Sequence, residues 1–237
     1  RMFEDDLIQG VVWYAVLLVS LVVHEAAHAF TAWRLGDRTA LEGGQVSLNP
    51  LPHILREPLG MIVLPWLSYS AWGWMIGWAS TPYDVRWAKT YPKRAALMFL
   101  SGPAANLLLA LAAAGCIRLG TAAELFYPPE VVNYAQVTSG CSDGLPYGLS
   151  VLVSILFSLN LAMFLFNMMP VPPLDGRAWL ELLLPATWRR YYQVLMSFLP
   201  VRLTAFLLAW FLLGWILRPA FVGLLNLIYW GYPVFYG

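Results

Sequence analysis

Two histidines and a glutamate stand in LVSLVVHEAAHAFTAW, residues 18–33, a stretch whose other members are mostly apolar. His24 and His28 are four residues apart, so on a helix both rings leave one face and can meet a single metal ion. Two neutral imidazoles and a carboxylate from elsewhere would make the three-ligand set of a catalytic zinc, with a fourth position left for water. Glu25, beside the first histidine, is placed to take a proton from that water as it attacks a carbonyl. The plainer alternative is a set of polar residues satisfied at a helix interface. It fits poorly, because the chain has only three histidines and an apolar membrane setting penalises each ionisable group.

The remaining ligand must reach the same depth. Asp175 is the best candidate, in NLAMFLFNMMPVPPLDGRAW, residues 160–179. Pro170, Pro172 and Pro173 exclude regular helix there and leave an extended backbone that can fold the carboxylate back toward the histidines. Local sequence keeps a second role open, with Asp175 as the N-cap of a helix over GRAWLELLL.

The elements that hold these residues are those of a membrane protein. Of the 237 residues, 60% are hydrophobic and 11% charged, outside the range of ordinary soluble domains. The 12 Trp and 12 Tyr suit anchoring at the two bilayer interfaces. A net charge of +1 gives no basic face for nucleic acid, which is excluded as a partner class. Stretches near 11–33, 94–118, 148–168 and 203–231 reach the roughly 20 residues a helical span requires. Arg218 and Pro219 either end the last of them or kink it. The expected fold is therefore an all-α integral membrane protein of about four transmembrane helices.

Between the first two spans, LGDRTALEGGQVSLNPLPH is rich in Gly, turn and β-branched residues, and short strands or extended loops are expected there. The following PLGMIVLPWLSYSAWGWMIGWAS is apolar but interrupted by Pro58, Pro65, Gly73 and Gly77, which predicts a re-entrant segment, not a fifth span. Residues 1–237 read as a single membrane-embedded domain, with a catalytic core over about 10–185 and a C-terminal transmembrane region over about 186–237. Glu4, Asp5 and Asp6 stand where a cleavable leader would be basic, so the first span is expected to be retained. Cys116 and Cys141 show no CxxC spacing, and whether they pair stays open.

With HEAAH, LNPLPH, SGPAANLLLA and NLAMFLFNMMPVPPLDG in this order, the chain resembles the site-2 protease family of intramembrane zinc metalloproteases. The resemblance implies one zinc ion per chain on His24, His28 and Asp175, with Glu25 as catalytic base. It places Asn160 and Asn167 near the cleavage centre, where an amide can hold an extended substrate or the developing oxyanion, or can simply join helices. Gly102, Pro103 and Asn106 match a Gly-Pro-xx-Asn pattern, for which close helix approach and an interhelical bridge compete with substrate contact. His53 follows Asn49 and Pro50 in an Asn-Pro-xx-His loop and reads as a structural, gating or substrate-side residue. Glu57 and the segment TPYDVRWAKTYPKR depart from the family pattern around the substrate loop.

The implied activity is hydrolysis of a peptide bond within or near the transmembrane segment of a membrane-protein substrate, as in regulated intramembrane proteolysis. Membrane-bound transcription regulators belong to the substrate class so implied. A zinc-binding transporter or channel is the alternative; it would explain the buried His and Glu but not the PPLDG motif. A protease that trims other membrane-borne chains would share the ligands and differ in access.

Arg34, Arg38, Arg56, Arg86, Lys89, Lys93 and Arg94 crowd the first connection, and Arg177, Arg189, Arg190 and Arg202 the third. The connection over 119–147 has no Lys or Arg and carries Glu124, Glu130 and Asp143. Both basic connections are thus expected in the cytoplasm and the N-terminus outside. His28 is then about 9 Å of helix from the basic end, at six residues from Arg34. A cysteine replacing Asp143, in a chain whose Cys116 and Cys141 are serine, should react with an impermeant reagent on intact cells. Labelling only after membrane rupture would invert this topology.

Overall fold

The computed structural model describes residues 2–236, with side chains from Leu7 onward. The side chains of Glu4, Asp5 and Asp6, on which retention of the first span rests, lie outside the described residues. Four helices dominate: α1 (Met2–Leu35), α6 (Pro92–Ala122), α7 (Leu145–Asn167) and α10 (Leu199–Ile228). Their apolar stretches of 29, 31, 23 and 30 residues all exceed the roughly 20 that cross a bilayer core. The chain is a multi-pass, all-α membrane protein. The last span runs unbroken through Arg218 and Pro219, so neither residue ends it.

The centre of the fold is the trio α1, α6 and α7, of which α6 packs most extensively on the other two. Its buried face carries Ala95, Ala96, Gly102, Ala110, Ala113 and Gly120, small residues that let helix backbones approach. On α10 the buried residues Ala209, Leu213, Leu217, Phe221, Leu225 and Ile228 recur at helical spacing and form one stripe against α7 and α6. Leu207, Phe211 and Trp215 on the other faces are exposed, as a lipid-facing helix requires.

The region between α1 and α6 corrects one expectation. It holds no strand among the described residues; short helices α2 (Thr39–Glu42) and α3 (Pro50–Arg56) occupy it. The deciding signals are caps. Asn49 accepts from Leu51 N–H at 3.0 Å, with Pro50 opening α3. Buried Asp37 accepts from the Thr39 amide at 2.9 Å, the Thr39 hydroxyl at 2.6 Å and the Asp84 amide at 2.8 Å, tying α2 to the approach to α5 (Val85–Thr90). The only sheet among the described residues is the two-stranded pair β1 (Phe126–Tyr127) and β2 (Ser139–Gly140), in the connection between α6 and α7.

The re-entrant expectation takes the form of a hairpin. A π-helical turn, Leu59–Val63, leads into α4 (Leu64–Trp72); at about 21 Å for the two together, it is too short to span. The chain turns at Gly73, φ 75°, and returns without regular structure. Trp78 N–H donates to Gly60 O at 3.2 Å, and Glu57 accepts from Ser80 Oγ at 2.5 Å and Trp78 Nε1 at 3.2 Å. Met61 and Met75 bury against Trp13, Leu17 and Leu21 of α1. The short helices α8 (Arg177–Leu183) and α9 (Ala186–Ser197) link α7 to α10, and Cys116 and Cys141 are free thiols.

A methyl group on Gly60 would run into the Trp78 carbonyl, whereas one on Gly115 would meet nothing. Gly60→Ala should therefore lose roughly 1–3 kcal/mol through overpacking, while Gly115→Ala, in the interior of α6, should gain up to about 1 kcal/mol. Unfolding of both variants in detergent reads the difference directly.

Candidate metal centre

Helix α1 carries His24 and His28 on one face, their rings edge to face with centroids 4.6 Å apart. Both are 5% exposed. The third participant arrives from a long way down the chain. After α7 the backbone makes a series of turns closed by Gly176 N–H donating to Asn167 O at 2.6 Å and Leu174 N–H to Val171 O at 2.8 Å. Trp179 Nε1 donates back to Met168 O at 2.9 Å. These bonds deliver the Asp175 side chain, 14% exposed, to the histidines. It makes no side-chain cap for α8 and lies instead with the two histidines.

His24 Nε2 lies 3.1 Å and His28 Nε2 3.2 Å from Asp175 Oδ2, and the two nitrogens are 3.0 Å apart. The opposite ring nitrogens face acceptors: His28 Nδ1 is 2.7 Å from the Met98 carbonyl oxygen and His24 Nδ1 is 2.5 Å from Asn106 Oδ1. Each Nδ1 therefore carries a hydrogen, and each Nε2 presents a lone pair to its neighbours.

Three acceptor atoms converging in this way ask for a cation. Their separations of 3.0 to 3.2 Å are near the roughly 3.3 Å expected between ligands on a tetrahedral zinc with bonds of about 2.0 Å. Space for it is made by an absent side chain. A Cβ on Gly102 of α6 would collide with both Nε2 atoms. The residues present thus fit a zinc ion of the catalytic type, with His24, His28 and Asp175 as its holders.

Glu25, also 5% exposed, accepts from the Thr81 hydroxyl at 2.7 Å through Oε2. Thr81 belongs to the returning arm of the hairpin. Asn106 and Asn160 are wholly buried and joined, Asn106 Nδ2 donating to Asn160 Oδ1 at 2.8 Å. Asn160 Nδ2 in turn donates to Ser20 Oγ at 2.8 Å and Leu156 O at 2.9 Å. Both amides are thus engaged within the protein, the interhelical alternative of the two readings. Asn167 donates to Met163 O at 3.1 Å on its own helix. His53 is buried in α3 and donates through Nε2 to Ser47 O at 3.0 Å; it is outside the three-residue cluster, where it braces its own loop. Sequence reasoning missed Thr81 and Ser20, whose only signal is a hydroxyl in an apolar or proline-flanked setting, and took Gly102 for helix packing alone.

The sequence model of peptidase family M50 matches residues 12–211. The chain belongs to that family. Its resemblance to site-2 proteases is the same relationship met from the motifs. Similar proteins include YwhC of Bacillus subtilis, 34% identical over 170 residues, which are 71% of this chain and 67% of YwhC. Rip2 of Mycobacterium tuberculosis H37Rv is 33% identical over 198 residues, covering 84% of this chain and 67% of Rip2. For Rip2 of Mycolicibacterium smegmatis the figures are 32% over 164 residues, 69% and 54%. All three are named as candidate zinc metalloproteases. This M50 chain spans about two thirds or less of their lengths, and no solved structure matches it significantly.

The Gly102 cradle gives a direct test. In Gly102→Ala the added methyl must displace at least one imidazole, and zinc affinity should fall roughly tenfold or more, the scale of losing ligand orientation. Competition with a chelator, followed by metal analysis, measures this without any substrate.

Proposed function

We propose that this chain is an intramembrane zinc metalloprotease that hydrolyses peptide bonds within or near the transmembrane segment of protein substrates. The observation that carries the reading is the convergence of His24 Nε2, His28 Nε2 and Asp175 Oδ2 on a membrane-spanning helix. Membership of peptidase family M50 and the names of its relatives agree with it. When bound, zinc supplies Lewis acidity, polarising a carbonyl and acidifying a water molecule beside it.

The chain's own residues do the rest. Glu25 takes the proton of the attacking water and can pass it to the departing amine. Thr81 donates to one carboxylate oxygen of Glu25 and leaves the other free to accept. The extended arm that carries Thr81 is the irregular backbone beside the base, and it offers unpaired peptide groups to an unwound substrate. A helical substrate must unwind there, because its carbonyls are otherwise occupied along the helix.

A cavity of about 530 Å³ adjoins the loop that carries Asp175, lined among others by Tyr83, Phe99, Pro172, Arg177 and Tyr192. Its basic residues Lys89, Arg177, Arg189 and Arg202 lie on the connections assigned to the cytoplasm, so water is proposed to enter from that side. One membrane-embedded unit, with its catalytic core in residues 10–185, performs the reaction. Membrane-anchored regulators of transcription are the proposed substrate class, cut in regulated intramembrane proteolysis.

Glu25→Gln preserves size and hydrogen bonding and removes the base. The variant should keep about one zinc per chain yet cleave a membrane-spanning test peptide at least roughly a hundredfold more slowly than wild type. Zinc content and cleavage are read on the same preparation, with a chelator control. Near wild-type cleavage by the zinc-loaded variant would remove Glu25 from the mechanism. A wild type that cleaves no spanning peptide would favour a non-hydrolytic zinc protein.

A further inference from the structure

Both putting-in-place bonds of the histidines use Nδ1, but they are unlike in kind. His28 faces a backbone carbonyl, Met98 O, which can only accept. His24 faces the side-chain amide of Asn106, whose oxygen and NH2 ends are interchangeable by a half-turn. Something must fix which end meets the imidazole.

The direction can be worked out from its far end. Ser20 Oγ is 2.7 Å from Val16 O. A carbonyl cannot donate, so the hydroxyl hydrogen goes to Val16 and the Ser20 oxygen is left as an acceptor. Asn160 Nδ2 fills it at 2.8 Å and sends its second hydrogen to Leu156 O at 2.9 Å. With its NH2 group occupied, Asn160 turns Oδ1 to Asn106, whose Nδ2 donates at 2.8 Å. Asn106 Oδ1 is thereby aimed at His24 Nδ1, and only a hydrogen on that nitrogen satisfies it. Ser20, Asn106 and Asn160 are each 0% exposed, so no water competes for any of these atoms.

We propose that Asn106, Asn160 and Ser20 are positioning residues that act as a one-way hydrogen-bond relay, holding His24 as the Nδ1–H tautomer with its Nε2 lone pair in the metal site. The relay begins at a fixed backbone acceptor on α1, crosses α7 and α6, and returns to α1 two helical turns beyond its start. The inference rests on the zinc metalloprotease reading above. It adds a purpose for three buried polar groups that an interhelical bridge alone leaves without a required direction.

Zinc and cobalt(II) binding by the full chain in detergent test it. The relay needs an acceptor at 106 and a second acceptor at 160. Asn106→Leu removes the first, and affinity should fall roughly 10- to 100-fold, as for other outer partners of metal-bound histidines. Asn106→Asp keeps an acceptor toward His24 and should restore wild-type-like affinity and the wild-type visible spectrum of bound cobalt(II). Asn160→Leu leaves Asn106 Nδ2 only its longer bond to Ser20 O at 3.4 Å, so the amide is held less firmly and binding should weaken while Asn106 stays in place. Asn160→Asp, which still accepts from Asn106, should weaken it less.

Thermal unfolding of the metal-free variants separates loss of packing from loss of orientation. Equal affinity in wild type and a folded Asn106→Leu would overturn the relay. So would an Asn106→Asp variant that binds as weakly as Asn106→Leu, because the acceptor would then not be what matters. If Asn106→Leu does not fold, the two Asn160 variants and Asn106→Asp decide by the same comparison. Wild type that binds no zinc at all would overturn the metalloprotease reading and the relay with it, an outcome distinct from the others.

Discussion

Three potential ligand atoms lie within 3.2 Å of one another, an arrangement that a cation among them would stabilise where little solvent is at hand. The rest of the fold is arranged around that cluster. Helical spacing in α1 aligns two rings, an absent side chain on α6 leaves them room, and a proline-rich turn after α7 brings the carboxylate to them. Two of the central spans and the turn that follows the third each contribute one part.

Polar chemistry is concentrated on the inner faces of the trio. Ser20, His24, Glu25, His28, Asn106 and Asn160 are all buried there, while Leu108, Leu111, Leu207, Phe211 and Trp215 are exposed on outer faces. Every buried polar group among the first set has a partner on another residue, as the absence of water at that depth demands. The hairpin between α1 and α6 is bound by the same logic. Glu57 joins its two arms, and Thr81 joins the returning arm to the base.

What could be read from sequence was what is local or set by length. The spans follow from apolar runs, and His24, Glu25 and His28 follow from spacing within one turn of helix. Asp175 was legible because three prolines mark a turn where an acidic residue is otherwise out of place. The helices α2 and α3 were not, because Gly and Thr counted toward strand or loop while the caps at Asp37 and Asn49 were given too little weight. Gly102 as a cradle, Thr81 against Glu25, and the Ser20–Asn160–Asn106 series were also hidden. Those contacts join residues 54 to 140 positions apart, and spacing within an element carries no information about them.

Hydrogen bonds between α1, α6 and α7 also differ in kind from the contacts that hold α10. A donor and acceptor at 2.8 Å lose attraction as they slide or tilt apart, so the bonds among Asn106, Asn160 and Ser20 resist displacement of α1, α6 and α7 against one another. Apolar contact is non-directional and tolerates such sliding. The first half of α10 meets its neighbours through rings, Phe206 and Trp210 on Phe166 and Trp210 on Trp74 of the hairpin. Its far end is tethered, by Arg118 to Ile228 O and by Tyr229 to Val137 O. Directional bonds thus fix α10 at its C-terminal end, while ring contacts alone join its first half to α7 and to the tryptophan of the hairpin.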